Sequence, residues 1–300
     1  MNETLNELIG ILNLEQTGTN QFLGYSPKDS REWAEDRGSQ PQALSATGRI
    51  FGGQVAAQAL IAAGRATADK RVHSLHCYFL RPGDVKVPIL FDVDPIRDGN
   101  SFSTRRVVAS QHGKPILNLS ASFHKDEDGI MHQLPMPNVP GPHSLPTFKA
   151  TMAPWEEQLG EWIDRPRPFE QRFVGMPHFD IGPEPRMPKQ QVWMRADGAI
   201  SNDPLLHPAM ATYASDLTLL DTVMLPHQLS RTNPHIMLAT LDHSVWFHRP
   251  FRIDEWFLFD QESILSFGAR ALMRGQIFTF DGKLVASVAQ EALIRISESR

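Results

Sequence analysis

Two stretches of this sequence match each other: Tyr78–Pro82, which reads Tyr-Phe-Leu-Arg-Pro, and Trp246–Pro250, which reads Trp-Phe-His-Arg-Pro. Two further pairs of matching motifs follow in the same order, and the two members of each pair are separated by nearly the same number of residues. Ser-Phe-x-x-Arg at Ser101–Arg105 recurs at Ser266–Arg270, and Gly113–Lys114 recurs as Gly282–Lys283. The repeat takes up about half of the chain, whereas solenoid repeats are much shorter, about 20–50 residues. It therefore predicts two copies of one domain, and chemistry is to be sought where the copies differ.

Each copy combines one helix with several strands. In the first copy, a run of small residues opens at Ile50–Gly53 and closes at Gly64, which favours a helix buried on several sides. In the second copy, a helix is predicted from Pro208 to Val223. Turn signals separate predicted strands near residues 73–81, 85–94, 102–111, 115–124, 190–195, 235–248, 255–264, 267–280 and 284–295. Both copies are predicted as a helix against a curved antiparallel sheet, an α+β fold.

The segments outside the repeat set the domain boundaries. An amphipathic helix is predicted within residues 1–16, capped by Thr4 and Glu7, and the polar residues 26–45 are predicted as a surface excursion. Five prolines from Pro135 to Pro146 indicate a linker. We predict an N-terminal domain over residues 1–130, a linker over 131–165 and a C-terminal domain over 166–300.

Composition excludes several classes of function. A net charge of −5 argues against sequence-independent nucleic-acid binding, which needs a basic face. The longest apolar runs are far shorter than the ~20 residues of a membrane span, so no membrane insertion is expected. The single cysteine, Cys77, excludes an intramolecular disulfide and fits a reducing compartment. With no basic residue in the acidic N-terminus, no signal peptide is predicted, and the expected location is cytoplasmic.

Six motifs resemble those of the type II acyl-CoA thioesterases, and the similarity spans nearly the whole chain. They are Arg49–Gln54, Tyr78–Gly83, Arg97–Phe102, Tyr213–Asp216, Asp242–Ser244 and Trp246–Pro250. The resemblance implies a double hotdog fold, in which a curved sheet wraps each central helix. It also implies hydrolysis of an acyl-CoA substrate to a free fatty acid and coenzyme A, without a cofactor.

The family holds its attacking water with an Asp, a Thr or Ser, and a Gln, which fall by motif on Asp216, Thr240 and Gln290. An Asp whose pKa is raised by partial burial can act as general base, while a hydroxyl and an amide can orient the water. By the register of the repeat, the first copy has Val72 at the position of Thr240, and Ala121 or its neighbour at that of Gln290. One active site per chain is therefore predicted.

Other candidate residues are weaker. Gly52 and Gly53 open a helix, whose free backbone N–H groups favour negative charge, and are predicted to bind substrate or stabilise the oxyanion. Cys77 is predicted to pack as a small apolar residue and not as a nucleophile. The histidine pairs His73/His76 and His243/His248 lack the spacing of a metal site, so no metal is predicted.

Three functions compete. Acyl-CoA hydrolysis leads. A hotdog enoyl-CoA hydratase is disfavoured because Asp203–His207 departs from the Asp-x-Asn-x-x-x-His spacing. A non-catalytic acyl-CoA-binding protein would keep the fold and lose the polar trio. Family resemblance also implies a homo-oligomer, a dimer or possibly a tetramer.

Overall fold

A computed structural model describes residues 2–28, 48–177, 184–230, 233 and 235–297. Most of the predicted surface excursion, residues 29–45, lies outside this range. Five α-helices are described: α1 (Glu3–Leu12), α2 (Gly52–Arg65), α3 (Phe148–Met152), α4 (Glu156–Leu159) and α5 (Leu206–Ser215). The strands within the described residues are β1 (Glu15–Gly18), β2 (Gln21–Gly24), β3 (Arg71–Phe79), β4 (Ile89–Asp98), β5 (Phe102–Gln111), β6 (Lys114–His124), β7 (Phe169–Val174), β8 (Lys189–Ala196), β9 (Ile236–Thr240), β10 (Asp242–Phe247), β11 (Phe257–Phe267), β12 (Arg270–Thr279) and β13 (Leu284–Ile296).

The described strands form one continuous antiparallel sheet with two halves. Its order is β1-β2-β4-β5-β6-β3-β10-β13-β12-β11-β8-β7, and β9 pairs with β13 at one side. The strands of the first copy therefore fill one half and those of the second copy fill the other. Helix α2 packs against β3–β6 and against α5. This architecture agrees with the predicted α+β double hotdog.

Strands β3 and β10 join the halves and define a local two-fold relation between the copies. They pair antiparallel, with His76 opposite Ser244. These two residues have the same separation in the chain as Tyr78 and Trp246 of the aromatic-Arg-Pro repeat, so each is the counterpart of the other. The two-fold axis therefore passes between His76 and Ser244, and each feature of one half has a counterpart in the other.

Helix α2 forms the buried centre of the first copy. All of its residues from Gly53 to Ala63 are buried, as the distribution of small residues predicts. Small side chains let the sheet and α5 approach this helix closely, so it is covered on several sides. The first turn of helix α2 therefore lies against the C-terminal end of α5, where the Gly53 N–H contacts Asp216.

The second helix is shorter than predicted. Helix α5 ends at Ser215, Asp216 is its C-cap, and a 3-10 segment covers Leu219–Val223. Just after the helix, Thr218 Oγ1 donates a hydrogen bond to Gln261 Oε1 of β11 at 2.9 Å. This tertiary contact favours an end of the α-helix before residue 218. The predicted helical position of Asp216 is therefore wrong, and its side chain projects from a helix end.

Local turn chemistry shifts several other boundaries. Strand β4 begins at Ile89 and not near residue 85. The residues before it form a turn, in which the Gln111 side chain accepts from the Asp84 N–H and donates to the Val87 backbone oxygen. The run predicted over 235–248 divides into β9 and β10 at Leu241. The N-cap of α1 is Asn2, whose side chain accepts the Thr4 N–H, so the predicted capping box at Thr4 and Glu7 is wrong. Strands β1, β2 and β7 were not predicted, since each is short.

Candidate active site

Asp216 lies where the two central helices meet. Its side chain is 8% exposed, at the C-terminal end of α5. The N–H of Gly53, in the first turn of α2, donates to Asp216 Oδ2 at 2.8 Å. A helix N-terminus carries a partial positive charge and unsatisfied N–H groups, so it stabilises the ionised carboxylate. The first copy thus supplies the helix end that holds the acid of the second copy.

This contact requires glycine at the start of α2. A Cβ at Gly53 would lie 2.8 Å from the backbone oxygen of Tyr213 and 2.6 Å from Phe51 Cε1. A Cβ at Gly52 would lie 2.9 Å from Asp216 Oδ2. Real Cβ atoms do not approach a backbone this closely, so any side chain at Gly53 would push the helices apart. The Gly-Gly pair is therefore explained by the close approach of α2 to Asp216.

Gln290 and Thr240 complete the polar cluster around Asp216. Gln290 Nε2 donates to Asp216 Oδ1 at 3.0 Å and to Thr240 Oγ1 at 2.8 Å. Thr240 Oγ1 donates to the same carboxylate oxygen at 3.4 Å. Gln290 is fully buried on β13, whereas Thr240, at the end of β9, is partly exposed. The three predicted residues, from three different elements, are thus in direct contact, and the cluster opens on the Thr240 side.

A buried histidine sets the orientation of the Gln290 amide. His243 is fully buried, its Nδ1 lies 3.3 Å from Gln290 Oε1, and its Nε2 lies 2.8 Å from Ser215 Oγ. Burial lowers the pKa of His243 to about 4, so the ring is neutral at physiological pH. With Gln290 Oε1 as acceptor, Nδ1 carries the proton and Nε2 is unprotonated. The Ser215 hydroxyl, 2.8 Å from Nε2, also has the backbone oxygen of Thr212 as an acceptor at 3.0 Å. The amide nitrogen of Gln290 is therefore turned towards Asp216 and Thr240.

Sequence reasoning missed the role of His243 and considered it only as a metal candidate. The repeat contained the signal, because His243 replaces Leu75 of the first copy just as Gln290 replaces Ala121. In the described residues, no group of three or more His, Cys, Asp or Glu side chains is arranged to hold a metal ion. The structure instead satisfies His243 with hydrogen bonds.

Cys77 packs beneath the site, as predicted. Its side chain is 2% exposed, and Sγ donates to the backbone oxygen of His243 at 3.3 Å. Burial, together with the charge of Asp216, raises the pKa of the Cys77 thiol, which keeps it protonated. A protonated, buried thiol is a poor nucleophile.

The counterpart of this site in the first copy has no polar trio. Val72 lies opposite Phe123, as Thr240 lies opposite Ala292. Ala121 is on β6, opposite Arg105 of β5, as Gln290 is on β13, opposite Met273 of β12. These pairings agree with the register that the repeat predicts. The C-cap residue of α2, in the position of Asp216, is Ala66, and its backbone oxygen accepts a hydrogen bond from the buried side chain of Arg105. The two halves therefore differ in chemistry at equivalent places.

Asp203 and His207, the residues of the hydratase-like segment, serve structural contacts. Asp203 Oδ1 accepts the Leu205 N–H at 2.8 Å, and His207 Nδ1 accepts the Ile253 N–H at 3.2 Å. The first contact is typical of a helix N-terminus. This agrees with the prediction that a helical turn explains the segment.

The fold is a double hotdog, and its second half contains a buried acid beside a hydroxyl and an amide. This combination is the one expected of a hotdog hydrolase. Comparison with known proteins identifies the family. The family described as "Acyl-CoA thioesterase" matches residues 165–293, and the "Acyl-CoA thioesterase N-terminal domain" matches residues 40–124. Both halves of the sheet are therefore covered by one enzyme family.

Relatives with known names agree over most of the chain. Acyl-CoA thioesterase 2 of Haemophilus influenzae is 37% identical over 99% of this chain and 100% of its own length. Human acyl-coenzyme A thioesterase 8 is 41% identical over 83% of this chain and 81% of its own. The crystal structure of acyl-CoA thioesterase II TesB2 from Mycobacterium marinum has a TM-score of 0.76 and 38% identity, covering 99% of both chains. The chain belongs to the type II acyl-CoA thioesterase family, and it is an enzyme that hydrolyses acyl-CoA thioesters to free fatty acid and coenzyme A.

Proposed function

We propose that Asp216, Thr240 and Gln290 hold and activate the water that hydrolyses the acyl-CoA thioester. The observation that carries the proposal is their mutual hydrogen bonding at a carboxylate anchored by the Gly53 N–H. A carboxylate accepts up to about four hydrogen bonds, so a cluster of this kind can include a water. Thr240 is the most exposed of the three, so we place the meeting of this water with the substrate on its side of the cluster.

The chemistry follows from these positions. Asp216 removes a proton as the water oxygen attacks the carbonyl carbon of the thioester, which gives a tetrahedral oxyanion. The oxyanion collapses with cleavage of the carbon–sulfur bond, the fatty acid is released, and the coenzyme A thiolate takes up the proton. Gln290 and Thr240 contribute by fixing the direction of the water, which lowers the entropic part of the barrier.

The glycines receive different roles. The Gly53 N–H is engaged by Asp216 Oδ2, so we assign it to anchoring the base and not to binding the oxyanion. For Gly52, a contribution to substrate binding or to the oxyanion stays a prediction. We also propose the domain boundaries 1–130, 131–165 and 166–300, with the catalytic residues in the last domain. A homo-oligomer and a cytoplasmic location, the latter favoured by the reduced, buried Cys77, complete the proposal.

Asp216→Asn tests the assignment directly. The substitution is nearly isosteric and removes the base, so turnover should fall by at least about a hundredfold. The measurement is thiol release from a saturated acyl-CoA, which a hydratase would not produce. Asp260→Asn is the matched control, because Asp260 is a partly buried carboxylate on β11 that bonds Gln191. Near-normal turnover in a folded Asp216→Asn protein would remove Asp216 from the mechanism.

A purely structural role for the polar trio is the remaining alternative, because the family assignment makes the chain an enzyme and excludes a protein that only binds acyl-CoA. It predicts that Asp216→Asn leaves the turnover of acyl-CoA hydrolysis unchanged. The burial of an acid beside an amide argues against it, because this burial costs free energy that a structural role does not require.

A further inference from the structure

A second cleft lies across the two-fold axis from the candidate active site. It is a cavity of about 590 Å³ between the start of β3, the end of β6, the first turn of α5 and residues 247–252. Val72 and Phe247 line it. By the offset of the aromatic-Arg-Pro repeat, they are the counterparts of Thr240 and Phe79. The cavity is therefore the first copy's equivalent of the site at Asp216, and it lacks the polar trio.

The charge of this cavity is opposite in sign to that of the chain. Four cationic side chains line it, Arg71, Lys125, Arg249 and Arg252, against two carboxylates, Asp126 and Glu127, whereas the whole chain carries −5. Arg71 pairs with Asp126 at 3.1 Å, and Lys125 lies 3.7 Å from Glu127, both at the surface. Such exposed pairs contribute little and are readily exchanged for another anion. The cavity thus retains cations that a phosphate can recruit.

Two arginines on the segment after β10 differ in their partners. Arg252 forms an ion pair with Asp254 at 2.7 Å, which shares its charge. Arg249 Nη1 donates to the uncharged side-chain oxygen of Gln133 at 2.5 Å. Arginine presents a planar fork of donors that matches phosphate oxygens. Arg249 is therefore the best-placed group in the cavity to bind an anion.

Four histidines supply further polar groups to the cavity. His73, His124, His207 and His248 all line it. Burial lowers the pKa of His207 and of His248, and the neighbouring Arg252 and Arg249, respectively, lower them further. The same charges that disfavour a second positive charge favour an anion. The first turn of α5 adds the positive end of a helix.

The size and polarity of the cavity limit its ligand. Its volume is in the range of small-molecule sites, about 300–1,000 Å³. Its lining combines the cations with apolar side chains such as Phe247 and Phe251, which suits a ligand with both phosphates and an apolar ring better than an acyl chain, which would meet the charges. We propose that this cavity is a second, non-catalytic binding site for a phosphorylated nucleotide, and that free coenzyme A, a product of the enzyme, is its ligand. Coenzyme A carries a diphosphate and a 3′-phosphate on adenosine, which suit several separated cations.

The test is the binding stoichiometry of free coenzyme A, measured by titration calorimetry on the full chain. The double variant Lys125→Gln/Arg249→Gln removes two cations without adding a charge. It should bind one equivalent per chain fewer than the unaltered protein, since each lost charge-assisted contact weakens the second site by about tenfold or more. Arg106→Gln is the matched control, because Arg106 is a surface cation paired with Asp94 outside the cavity. It should keep the full stoichiometry.

Equal stoichiometry in the double variant and the unaltered protein overturns the proposal. If the double variant fails to fold, the single variant Arg249→Gln serves as the test. It should weaken the binding of coenzyme A to the second site by about tenfold. Competition with two compounds shows whether the second site recognises the nucleotide or only the phosphates. Adenosine 3′-phosphate 5′-diphosphate should displace coenzyme A from the second site. Equal displacement by inorganic pyrophosphate would reject the nucleotide assignment.

Discussion

In the candidate site, Gln290 hydrogen-bonds to three other side chains. Its amide nitrogen donates to both Asp216 and Thr240, while its oxygen faces His243. Removal of any member leaves another without its bond, and buried groups without partners are costly. The effects of substitutions in the cluster should therefore not add.

Thr240→Ala and Gln290→Ala should each lower kcat more than they raise KM, because these side chains orient the water and do not hold coenzyme A. Combined with Asp216→Asn, either substitution should lower kcat little further. The measurement is a double-mutant cycle on steady-state hydrolysis. Ala121→Ser, at the first copy's counterpart of Gln290, is the control and should leave kcat within about twofold. Fully additive losses would contradict a shared water.

The buried His243 should make stability depend on pH. Its pKa is about 4 in the folded chain against 6.5 unfolded, so the unfolded chain binds more protons between these values. The stabilisation is therefore complete above pH 6.5 and is lost as the pH falls towards 4, by on the order of 3 kcal/mol in all.

His243→Leu checks this dependence, since it introduces the first copy's Leu75 at the equivalent position. The free energy of unfolding should fall less steeply between pH 6.5 and 4 in His243→Leu than in the unaltered protein. Comparison of the two slopes removes the contributions of His73, His207 and His248, whose pKa values are also lowered. Parallel curves would show that His243 is not the group that titrates.

At the scale of elements, the first turn of α2 connects the two copies. Its Gly53 N–H reaches Asp216 only because α5 can approach without meeting a side chain. The first copy lacks this contact, which supports the proposal of one active site per chain. The corresponding helix end in the first copy is closed by Ala66 and Arg105, which carry no acid.

Gly53→Ala should lower kcat by at least about tenfold, because the added Cβ displaces the backbone near Tyr213 and with it the anchored carboxylate. Gly10→Ala in α1 is the matched control. No atom lies within 4 Å of a Cβ there, so helix propensity alone should raise the unfolding free energy by up to about 1 kcal/mol. The readouts are kcat and chemical denaturation. Unchanged hydrolysis by Gly53→Ala would reject the anchoring role of this turn.

At the scale of the whole molecule, the two halves already satisfy the side-by-side sheet pairing through β3 and β10. Among the described residues, no helix has the length and apolar character to cross a membrane. Some large apolar side chains of the second half stay exposed, such as Phe267 and Leu265. Exposed apolar residues that adjoin one another are typical of surfaces that associate.

Light scattering at micromolar concentration should therefore give a mass of at least twice the 33.7 kDa of one chain. A closed two-fold dimer is the expected assembly, because it is the commonest symmetry of soluble homo-oligomers. Phe267→Asp, which places a charge on the apolar patch at the end of β11, should shift the mass towards the monomer if this patch is the interface. A monomeric peak with full activity would contradict the prediction.

The repeat, its register and the family could all be predicted from the amino-acid sequence. The register of the repeat correctly paired Thr240 with Val72 and Gln290 with Ala121, because both copies keep the same antiparallel pairing. Turns and helix caps were harder to predict. Short strands carry little periodicity, and the end of α5 depends on a hydrogen bond to β11.

The construction of the site and the location of the second cavity could not be predicted, because both depend on how the chain packs. Asp216 is far from both Gly53 and Gln290 in the chain, so no local pattern connects them. The orientation of Gln290 likewise depends on His243, which is neutral because it is buried. The basic cavity gathers side chains from residues 71 to 252 across the two-fold axis. Hydrogen bonds and electrostatic fields depend on distance in space, and that distance exists only once the two helices and the sheet have packed.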